Sequence, residues 1–375
     1  MVPGLAEGEP IVSWSDHRVA TVEVARVTTR YPRTVGRNAR LGSHGAGPEQ
    51  TVVRVRTDQG GQGWGLAAGD LTDVAALVGR RVDELFDPKV GVVEALATPL
   101  DFALHDLAGR LLDQPVHQLL GGHGTRAVPW YDGAIYFDDL DPDEAPRGLD
   151  AVLANCRDDY ALGFRAFKVK IGRGHRWMAP EAGRRRDVDV TRAVREAFPD
   201  CRILVDANDG YTCADVLDYL DAVADCDVFW LEEPFPENRE DLRRLREHLA
   251  DRGTLVADGE SEPDVPFLLD LGKEGLLDVL LMDVVSFGLT RWRALMPRLA
   301  ELGVRASPHA WGLPLKSLYA AQIAAGLGNV PLVEGVPGTT DGVDTSAYRS
   351  VDGVLHVPDA PGFGLDLLVD TTPVR

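Results

Sequence analysis

The first part of the chain alternates apolar and polar residues with a period of two. The segments TVEVARVTTRYP and TVVRVRTDQGGQGWG lie between Val19 and about Gly65 and predict antiparallel strands, the second ending in a glycine-rich hairpin turn. Further along, PLDFALHDLAGRLLDQ repeats apolar residues every three or four positions, which predicts a helix. Strands followed by helices are typical of an α+β module.

From Val128 onward, short apolar runs alternate with amphipathic segments. Eight of these runs are predicted strands: AVPWYDG, RAFKVKIG, RILVDAN, VFWLEEP, TLVADGE, VLLMDVV, VRASPHA and PLVEG. Segments between them, such as DVDVTRAVREAF and NREDLRRLREHLA, have helical spacing. This alternation predicts an α/β fold with a (β/α)8-type, TIM-like barrel, or a (β/α)7β barrel if the last helix is missing. A doubly wound open sheet is the alternative, but the glycine-rich phosphate loop typical of it is not found.

The change of pattern also predicts a division of the chain. We expect an N-terminal α+β capping domain over residues 1–126 and a barrel domain over residues 127–341. Residues 342–375 include VLHVPDAPGFGLDLL, a pattern that predicts short strands or turns. We expect this C-terminal segment to return to the capping domain.

Six polar residues close successive apolar runs in the barrel half. They are Asp206, Glu232, Glu260, Asp283, His309 and Glu334. The steps between them (206→232→260→283→309→334) are 26, 28, 23, 26 and 25 residues, about the length of one strand, one helix and two loops. Because parallel strands end at the same rim of a barrel, these groups should converge on one site.

Asp206, Glu232 and Glu260 end three consecutive predicted strands. Three neighbouring carboxylates repel one another, and a divalent cation relieves that repulsion. Ligands that are all oxygen favour Mg²⁺ over zinc or copper. For any one of these acids alone, capping the next helix is an equally good interpretation.

Other predicted strand ends supply acid and base groups. Lys168 and Lys170 share one face of their strand, and an ammonium beside another cation in a partly buried site has a lowered pKa and can act as a base. Alternatively, both lysines reach solvent. Asp283 and His309 can form a dyad in which the carboxylate orients the imidazole and raises its pKa. Glu334 could donate a proton to an oxyanion, or it could be a rim salt-bridge partner.

Together these groups have what abstraction of a proton next to a carboxylate requires. The proton is weakly acidic, so the enediolate needs stabilisation by Mg²⁺ and hydrogen-bond donors. The basic loop RTVGRNARLGSHGAG, residues 33–47, is called the cap loop below. Its residues Arg33, Arg37, Arg40 and His44 could close over the distal end of an anionic substrate; the alternative is a solvated surface loop.

The chain contains the motifs KVK, VDAN, WLEEP, GE and SPH, together with LHDLAGRLLDQPVHQLLGG and the PGFGLDL tail. With this set of motifs it resembles the enolase superfamily, specifically its mandelate racemase-like subgroup. The resemblance runs from about Val19 to Leu368. It implies that Asp206, Glu232 and Glu260 bind Mg²⁺. It further implies that Lys170 is one acid/base and that His309, paired with Asp283, is the other.

The resemblance also implies substrate contacts and an activity. Lys168 would contact the substrate carboxylate, and Glu334 would hydrogen-bond its oxygen. The residues assigned to substrate binding are Lys168, Asn208, Arg37 and His44. Most members with this Lys and His pair act on acid sugars, which implies a hydro-lyase that converts an aldonate or aldarate to a 2-keto-3-deoxy acid. A racemase or epimerase of a 2-hydroxy acid, using the same bases, is the alternative. The muconate-lactonising subgroup is disfavoured because it has a lysine where this chain has Asp283.

Two further classes are disfavoured by the residues present. A barrel metallohydrolase would need a histidine pair on an early strand, which WYDGA and FKVKIG do not offer. A non-catalytic sugar-acid binder would lose a base or a metal ligand, whereas all of them are present.

Composition limits the partners. The net charge, 39 − 59 = −20, argues against nucleic acid or an anionic membrane. The four cysteines lack CxxC spacing, so we expect reduced thiols and no zinc site. The N-terminal sequence MVPGLAEGEPIVSW has no signal-peptide pattern, and no apolar run is long enough to span a membrane. We therefore expect a soluble cytoplasmic homo-oligomer that acts on a small-molecule carboxylate.

Overall fold

The computed structural model describes residues 14–140, 147–260 and 263–374. The N-terminal sequence from which we expect no signal peptide lies, up to residue 13, outside this range.

The strands are β1 (Val19–Arg30), β2 (Glu49–Thr57), β3 (Gln62–Leu66), β4 (Phe86–Asp87), β5 (Gly91–Val92), β6 (Ala127–Ile135), β7 (Ala166–Lys170), β8 (Arg202–Asp206), β9 (Val228–Glu232), β10 (Leu255–Asp258), β11 (Val279–Leu280), β12 (Arg305–Ala306), β13 (Val333–Gly335), β14 (Thr339–Asp341), β15 (Val343–Asp344), β16 (Arg349–Val351), β17 (Val354–His356), β18 (Asp366–Leu367) and β19 (Thr372–Pro373).

The α-helices are α1 (Asp101–Leu111), α2 (Val116–Leu119), α3 (Leu149–Ala161), α4 (Pro180–Ala197), α5 (Cys213–Ala222), α6 (Arg239–His248), α7 (Val265–Lys273), α8 (Val284–Phe287), α9 (Leu289–Leu302) and α10 (Pro314–Leu327). Short 3-10 helices span Trp14–Asp16, Val74–Leu77, Val82–Glu84, Ala95–Leu100, Asp138–Leu140, Arg173–His175 and Ala224–Cys226.

The N-terminal cap is an antiparallel sheet packed on α1. Its strand order is β14-β1-β2-β3, and β19 also pairs with β1. The apolar face of the period-two pattern is buried, with Val22, Val53 and Val55 in the same core as Leu104 of α1. A Cβ at Gly63 of β3 would lie 2.2 Å from the backbone nitrogen of Leu107, so the absence of a side chain there lets the helix lie directly on the sheet.

The second half forms the barrel that the strand/helix alternation predicts. Strands β13, β6, β7, β8, β9, β10, β11 and β12 are neighbours in that order, and every pair joined by a ladder is parallel. The two end strands, β12 and β13, are connected through isolated hydrogen bonds of adjacent residues. In one of them, the Ser307 hydroxyl donates to the Leu332 carbonyl at 2.8 Å. No helix follows β13 among residues 336–374, so the described part has the (β/α)7β form.

Alternation along the barrel strands separates two layers. Interior residues, including Tyr131, Leu204 and Trp230, form one buried cluster inside the barrel. Residues of the opposite face, such as Phe167 and Val205, are buried in the main core together with apolar residues of the helices. The polar strand ends therefore lie on top of a filled barrel rather than beside an open channel.

The part of the chain that follows β13 contacts both halves of the molecule, beginning with Thr339–Asp341, which belong to the cap sheet although the expected barrel domain includes them. Thr339–Asp341 pairs with Thr28–Arg30, and Thr372–Pro373 pairs with Glu23–Val24, so the chain returns twice to the cap sheet. Between these strands, the β16–β17 hairpin pairs with the first residues of barrel strand β6. This pairing holds the cap and the barrel together near the beginning and the end of the chain.

The cysteines and the helices agree with two expectations from composition. All four cysteines are free and buried. In the described part of the chain, no helix is both long enough and apolar enough to cross a membrane.

Candidate active site

Strand register brings the predicted polar residues to one level of the barrel rim. Lys170 pairs with Asp206, and Asp206 pairs with Glu232, across three adjacent parallel strands. On the far side of the rim, Asp283 and His309 form an isolated parallel bridge. Residues that are evenly spaced along the chain at the ends of strands are thus neighbours around the rim, as a parallel barrel requires.

Asp206, Glu232 and Glu260 converge closely enough to hold one metal ion. One oxygen of each carboxylate lies within 4.8 Å of those of the other two. Two of these carboxylates are held in place by hydrogen bonds: Asp206 Oδ1 accepts the Asn208 N–H at 2.9 Å, and Glu232 Oε2 accepts the Trp230 indole N–H at 3.1 Å. Glu260 Oε2 is buried and has no hydrogen-bond partner among the described residues. Three converging carboxylates with an unsatisfied buried oxygen fit Mg²⁺.

The two lysines lie among these carboxylates rather than in solvent. Lys168 Nζ lies 2.5 Å from Glu232 Oε1, 2.9 Å from Glu334 Oε1 and 3.4 Å from Asp206 Oδ2. Lys170 Nζ donates to Asp206 Oδ2. Burial alone would lower the pKa of Lys168, but the carboxylates of Glu232 and Glu334 raise it well above its ordinary value. The expected lowering of the pKa by a neighbouring cation is therefore wrong for Lys168.

Glu334 lies between Lys168 and His309. Its Oε2 accepts the backbone N–H groups of Ala310 at 2.7 Å and Trp311 at 2.8 Å. Burial would raise its pKa, but Lys168 and His309 lower it below the ordinary range. These contacts favour an ionised, hydrogen-bond-accepting carboxylate, which agrees better with the salt-bridge role than with proton donation.

His309 faces two carboxylates on one edge and Asp283 on the other. Its Nε2 lies 3.2 Å from Glu260 Oε1 and 3.6 Å from Glu334 Oε2, while Nδ1 lies 3.5 Å from Asp283 Oδ2. Burial alone would lower the pKa of His309, but Glu260, Glu334 and Asp283 raise it above its ordinary value. The raised pKa has the direction expected for an acid–histidine dyad.

Asp283 also has a second cationic partner that sequence reasoning missed. Lys316 Nζ, on α10, lies 2.5 Å from Asp283 Oδ2. Asp283 Oδ1 accepts the N–H groups of Val285 and Ser286, which begin the short helix α8. A lysine seven positions after His309 has no distinctive spacing, so no pattern in the sequence marks this contact.

The cap loop reaches the rim, but the residues predicted to contact the substrate make different contacts there. His44 lies near the site, with its ring edge-to-face on Tyr136 at 4.7 Å between centroids. Arg37 stacks over Trp177. Arg40 Nε donates to the backbone carbonyl of Asn208 at 2.7 Å, which ties the loop to the residue two positions after Asp206.

Arg33 does not have the position that the cap-loop interpretation requires. Its guanidinium forms a bidentate ion pair with Asp159 of α3, with Nη1 to Oδ1 at 2.8 Å. Because Asp159 is completely buried outside the barrel interior, Arg33 cannot at the same time close over a substrate on the rim. The expectation that Arg33 contacts the substrate is therefore wrong.

Sequence reasoning also missed the groups that hold Lys170 and surround the entrance. Arg173 is fully buried, forms ion pairs with Asp139 and Asp187, and donates to the Lys170 carbonyl at 3.2 Å. Tyr136 and Trp311 pack on each other with centroids 4.9 Å apart. These aromatic side chains lie between the cap loop and the strand ends.

Known proteins are similar to this chain in sequence and in fold. A family model described as enolase C-terminal domain-like matches residues 151–371. The chain is 29% identical over 353 residues to D-galactarolactone cycloisomerase from Agrobacterium fabrum, covering 84% of this chain and 88% of that protein. It is 26% identical over 359 residues to D-xylonate dehydratase from Haloferax volcanii, covering 85% and 83%. The matches also include a hydrophobic dipeptide epimerase from Enterococcus faecalis and an N-succinyl-L-Arg/Lys racemase from Bacillus cereus.

Two solved structures of a galacturonate dehydratase from Geobacillus sp. are similar over nearly the full length. A mutant complexed with Mg is 32% identical with a TM-score of 0.89, covering 94% of this chain and 93% of that one. The complex with D-galacturonate and 5-keto-4-deoxy-D-galacturonate is 33% identical with a TM-score of 0.88, covering 94% and 95%. The Mg complex agrees with the fit of the carboxylate triad to Mg²⁺.

Proposed function

The chain belongs to the enolase superfamily, in its mandelate racemase-like subgroup, and we propose that it is a Mg²⁺-dependent dehydratase of acid sugars. The observation that carries this proposal is the placement of two proton-transfer groups at opposite ends of the carboxylate triad. Lys170 contacts Asp206 at one end, and His309 Nε2 lies 3.2 Å from Glu260 at the other. Asp206, Glu232 and Glu260 would hold the ion, which when bound supplies positive charge that stabilises an enediolate.

The proposed reaction begins at Lys170. Its uncharged Nζ takes the proton from the carbon next to the substrate carboxylate, and the electron pair of the broken C–H bond delocalises into that carboxylate as an enediolate. Lys170 lies against Asp206 in this structure, so this contact has to break before Lys170 can accept a proton. Lys168 is our proposed partner for the substrate carboxylate.

His309 completes the elimination. Its Nε2 proton goes to the β-hydroxyl, the C–O bond breaks with its electron pair on oxygen, and water leaves as the enediolate electrons form the C=C bond. For an aldonate or aldarate, the resulting enol tautomerises to a 2-keto-3-deoxy acid. Asp283 orients the imidazole from the Nδ1 side.

The substrate would contact the rim through polar groups of both halves. We propose Asn208, Arg37 and His44 for the hydroxyl-bearing part, with Glu334 holding Lys168, the proposed partner of the substrate carboxylate. Aldonates and aldarates are the proposed substrates, and the similarity to a galacturonate dehydratase adds uronates to the classes to be tested.

The second candidate function is racemisation or epimerisation of a 2-hydroxy acid. The same two groups would then act on opposite faces of one carbon, with no leaving group. The epimerase and the racemase among the relatives support keeping this candidate.

Incubation of the protein with Mg²⁺ and a library of aldonic, aldaric and uronic acids tests the proposal. We expect at least one acid to give a keto-deoxy product, detected with semicarbazide for aldonates and aldarates and by new methylene signals in proton NMR for uronates. Reaction in deuterium oxide separates the two candidates: elimination gives the keto acid, whereas racemisation gives deuterium at the α-carbon of an otherwise unchanged acid. A library that yields neither result would contradict both.

Variants then assign the bases. Lys170→Ala and His309→Asn should each abolish turnover, and full α-proton exchange in both variants would remove them as the proposed bases. Lys273→Ala, at an exposed position in the last turn of α7, serves as the control and should retain the wild-type rate.

A further inference from the structure

Arg33 lies in a buried polar cluster between barrel strand β6 and helix α3. The side chain is only 16% exposed. Both terminal nitrogens of its guanidinium donate to Asp159, and Nη2 also reaches the Ala134 carbonyl at 3.3 Å. A bidentate fork of this kind fixes both the position and the orientation of an arginine. Arg33 is therefore attached to the wall of the barrel, at the first residue of the cap loop.

A second carboxyl group completes the cluster. Asp132 of β6 is fully buried, and its Oδ1 accepts the Ala134 N–H at 2.7 Å. Its Oδ2 receives no N–H or O–H donor among the described residues, and the group it faces is the Asp159 carboxylate. Two buried carboxyl groups beside one guanidinium cannot both be ionised at low cost. Burial and the neighbouring Asp159 raise the pKa of Asp132 well above its ordinary value, which favours the protonated form, whose Oδ2–H can donate to Asp159.

The backbone transmits this attachment to the loop tip. Two residues after Arg33, the Val35 N–H donates to the Gly45 carbonyl at 2.9 Å, and the His44 N–H donates to the Val35 carbonyl at 2.9 Å. The His44 ring is held by Nδ1, which donates to the Gly36 carbonyl at 2.8 Å because a carbonyl can only accept. These bonds connect both limbs of the loop, and His44, to the segment that Arg33 attaches to the barrel wall. The loop tip has further contacts of its own, among them Arg40 to the Asn208 carbonyl and Trp177 to the Asn38 carbonyl.

We propose that Arg33 is a positioning residue that anchors the cap loop over the site through Asp159, with Asp132 as the hydrogen-bond donor that completes the anchor. When the anchor is removed, the loop leaves the rim more often, and only the fraction of molecules with the loop in place binds substrate well. The kinetic part of this inference rests on the proposed function, whereas the anchoring itself can be measured without any substrate.

Trypsin supplies the substrate-free measurement. The bond after Arg40 precedes Leu41, whose side chain is 58% exposed, while Arg40 itself is tied to Asn208 and Asp209. Cleavage at this bond reports how often the loop lifts, provided that opening and closing are fast relative to cleavage. In Arg33→Gln, we expect cleavage after Arg40 to accelerate by at least about tenfold, the effect of losing a charge-assisted hydrogen bond.

Two further variants separate anchoring from general destabilisation. Asp132→Asn keeps an acceptor for the Ala134 N–H and a donor for Asp159, so trypsin should cleave this variant at the wild-type rate. Arg30, three residues before Arg33, forms an exposed ion pair with Asp341. Arg30→Gln removes this pair and should also leave the cleavage rate unchanged. Arg33→Lys keeps the charge but not the fork and should give an intermediate rate, which keeps the test informative if Arg33→Gln does not fold.

The kinetic measurement uses the acid that the library screen identifies. Arg33→Gln should raise KM by about tenfold with a smaller change in kcat, because the fraction of competent molecules falls. Wild-type cleavage in both Arg33 variants would overturn the anchor, and fast cleavage in Asp132→Asn would overturn the role of Asp132. Faster cleavage with unchanged KM would overturn the placement of the loop over the substrate. If no acid is turned over, the proposed function fails, and the cleavage rates still decide whether Arg33 is an anchor.

Discussion

Replacing Lys168 with methionine should destabilise the protein strongly in the absence of Mg²⁺ and much less in its presence. The Lys168 side chain is 1% exposed, and its ammonium contacts Glu232 and Glu334 at 2.5 and 2.9 Å, with Asp206 at 3.4 Å. All three carboxylates have side chains that are completely buried. Lys168→Met keeps the volume of the side chain but removes the ammonium that contacts Glu232, while Asp206 keeps Lys170 and Glu334 keeps His309.

The expected magnitude follows from the burial of the partners. Removing one member of a buried ion pair costs about 3–5 kcal/mol, because the remaining charge stays desolvated. With EDTA present, the urea midpoint of Lys168→Met should fall accordingly, by about 1–2 M at a urea dependence of about 3 kcal/mol per M, the upper end of the range for small proteins. Saturating Mg²⁺ should restore part of this loss, since binding to the native state alone stabilises it.

Urea unfolding followed by circular dichroism, with EDTA or with Mg²⁺, measures both effects, and calorimetric titration measures Mg²⁺ affinity directly. We expect the variant to bind Mg²⁺ more tightly than the wild type, because an ammonium beside the triad no longer repels the ion. Lys89→Met, at an exposed position of the cap, is the matched control and should change neither quantity. A Lys168→Met midpoint equal to that of the wild type in EDTA would refute the reasoning.

Three further predictions concern single groups. Lys316→Met removes a cation from Asp283, so the pKa of His309 should rise, as an NMR titration of the imidazole would show; an unmoved titration would contradict the shared contact. The raised pKa of Asp132 means that the folded state keeps a proton that the unfolded state releases above about pH 4, so this group costs stability as the pH rises. Relative to the wild type, Asp132→Asn should therefore gain stability as the pH rises above about 4, by up to about 1.4 kcal/mol per pH unit in urea unfolding; a constant difference would exclude a retained proton. Glu260→Gln should weaken calorimetric Mg²⁺ binding by more than the roughly 10- to 100-fold that loss of an outer-shell partner costs, and unchanged affinity would exclude Glu260 as a ligand.

The barrel and the triad could be predicted because they depend on local periodicity. A strand ends where its apolar run ends, and parallel strands share a rim, so the spacing of Asp206 and Glu232 along the chain was enough to predict their adjacency. The same reasoning placed Asp283 beside His309, where the structure has a parallel bridge. Sequence reasoning leaves the (β/α)8 and (β/α)7β forms open, and the described residues have the second form.

Contacts between layers could not be predicted in the same way. Lys316 reaches Asp283 because of how α10 is rotated against the barrel, which periodicity does not specify. Arg33 looked like a substrate residue because its loop is basic, yet a buried carboxylate on α3 takes up its guanidinium. Sequence periodicity specifies which face of an element is buried, but not which partner a long polar side chain meets.

The charges of the site bear on the order in which we expect Mg²⁺ and the substrate to bind. Lys168 contacts Asp206, Glu232 and Glu334, and Lys170 contacts Asp206. Glu260, the third carboxylate of the triad, has His309 as its cationic neighbour. An ion held by the triad would compensate the charge of Asp206, which in its absence has Lys170 as a contacting cation. Because the substrate carboxylate would add a further negative charge to these buried carboxylates, we expect Mg²⁺ to bind before the acid sugar of the proposed reaction.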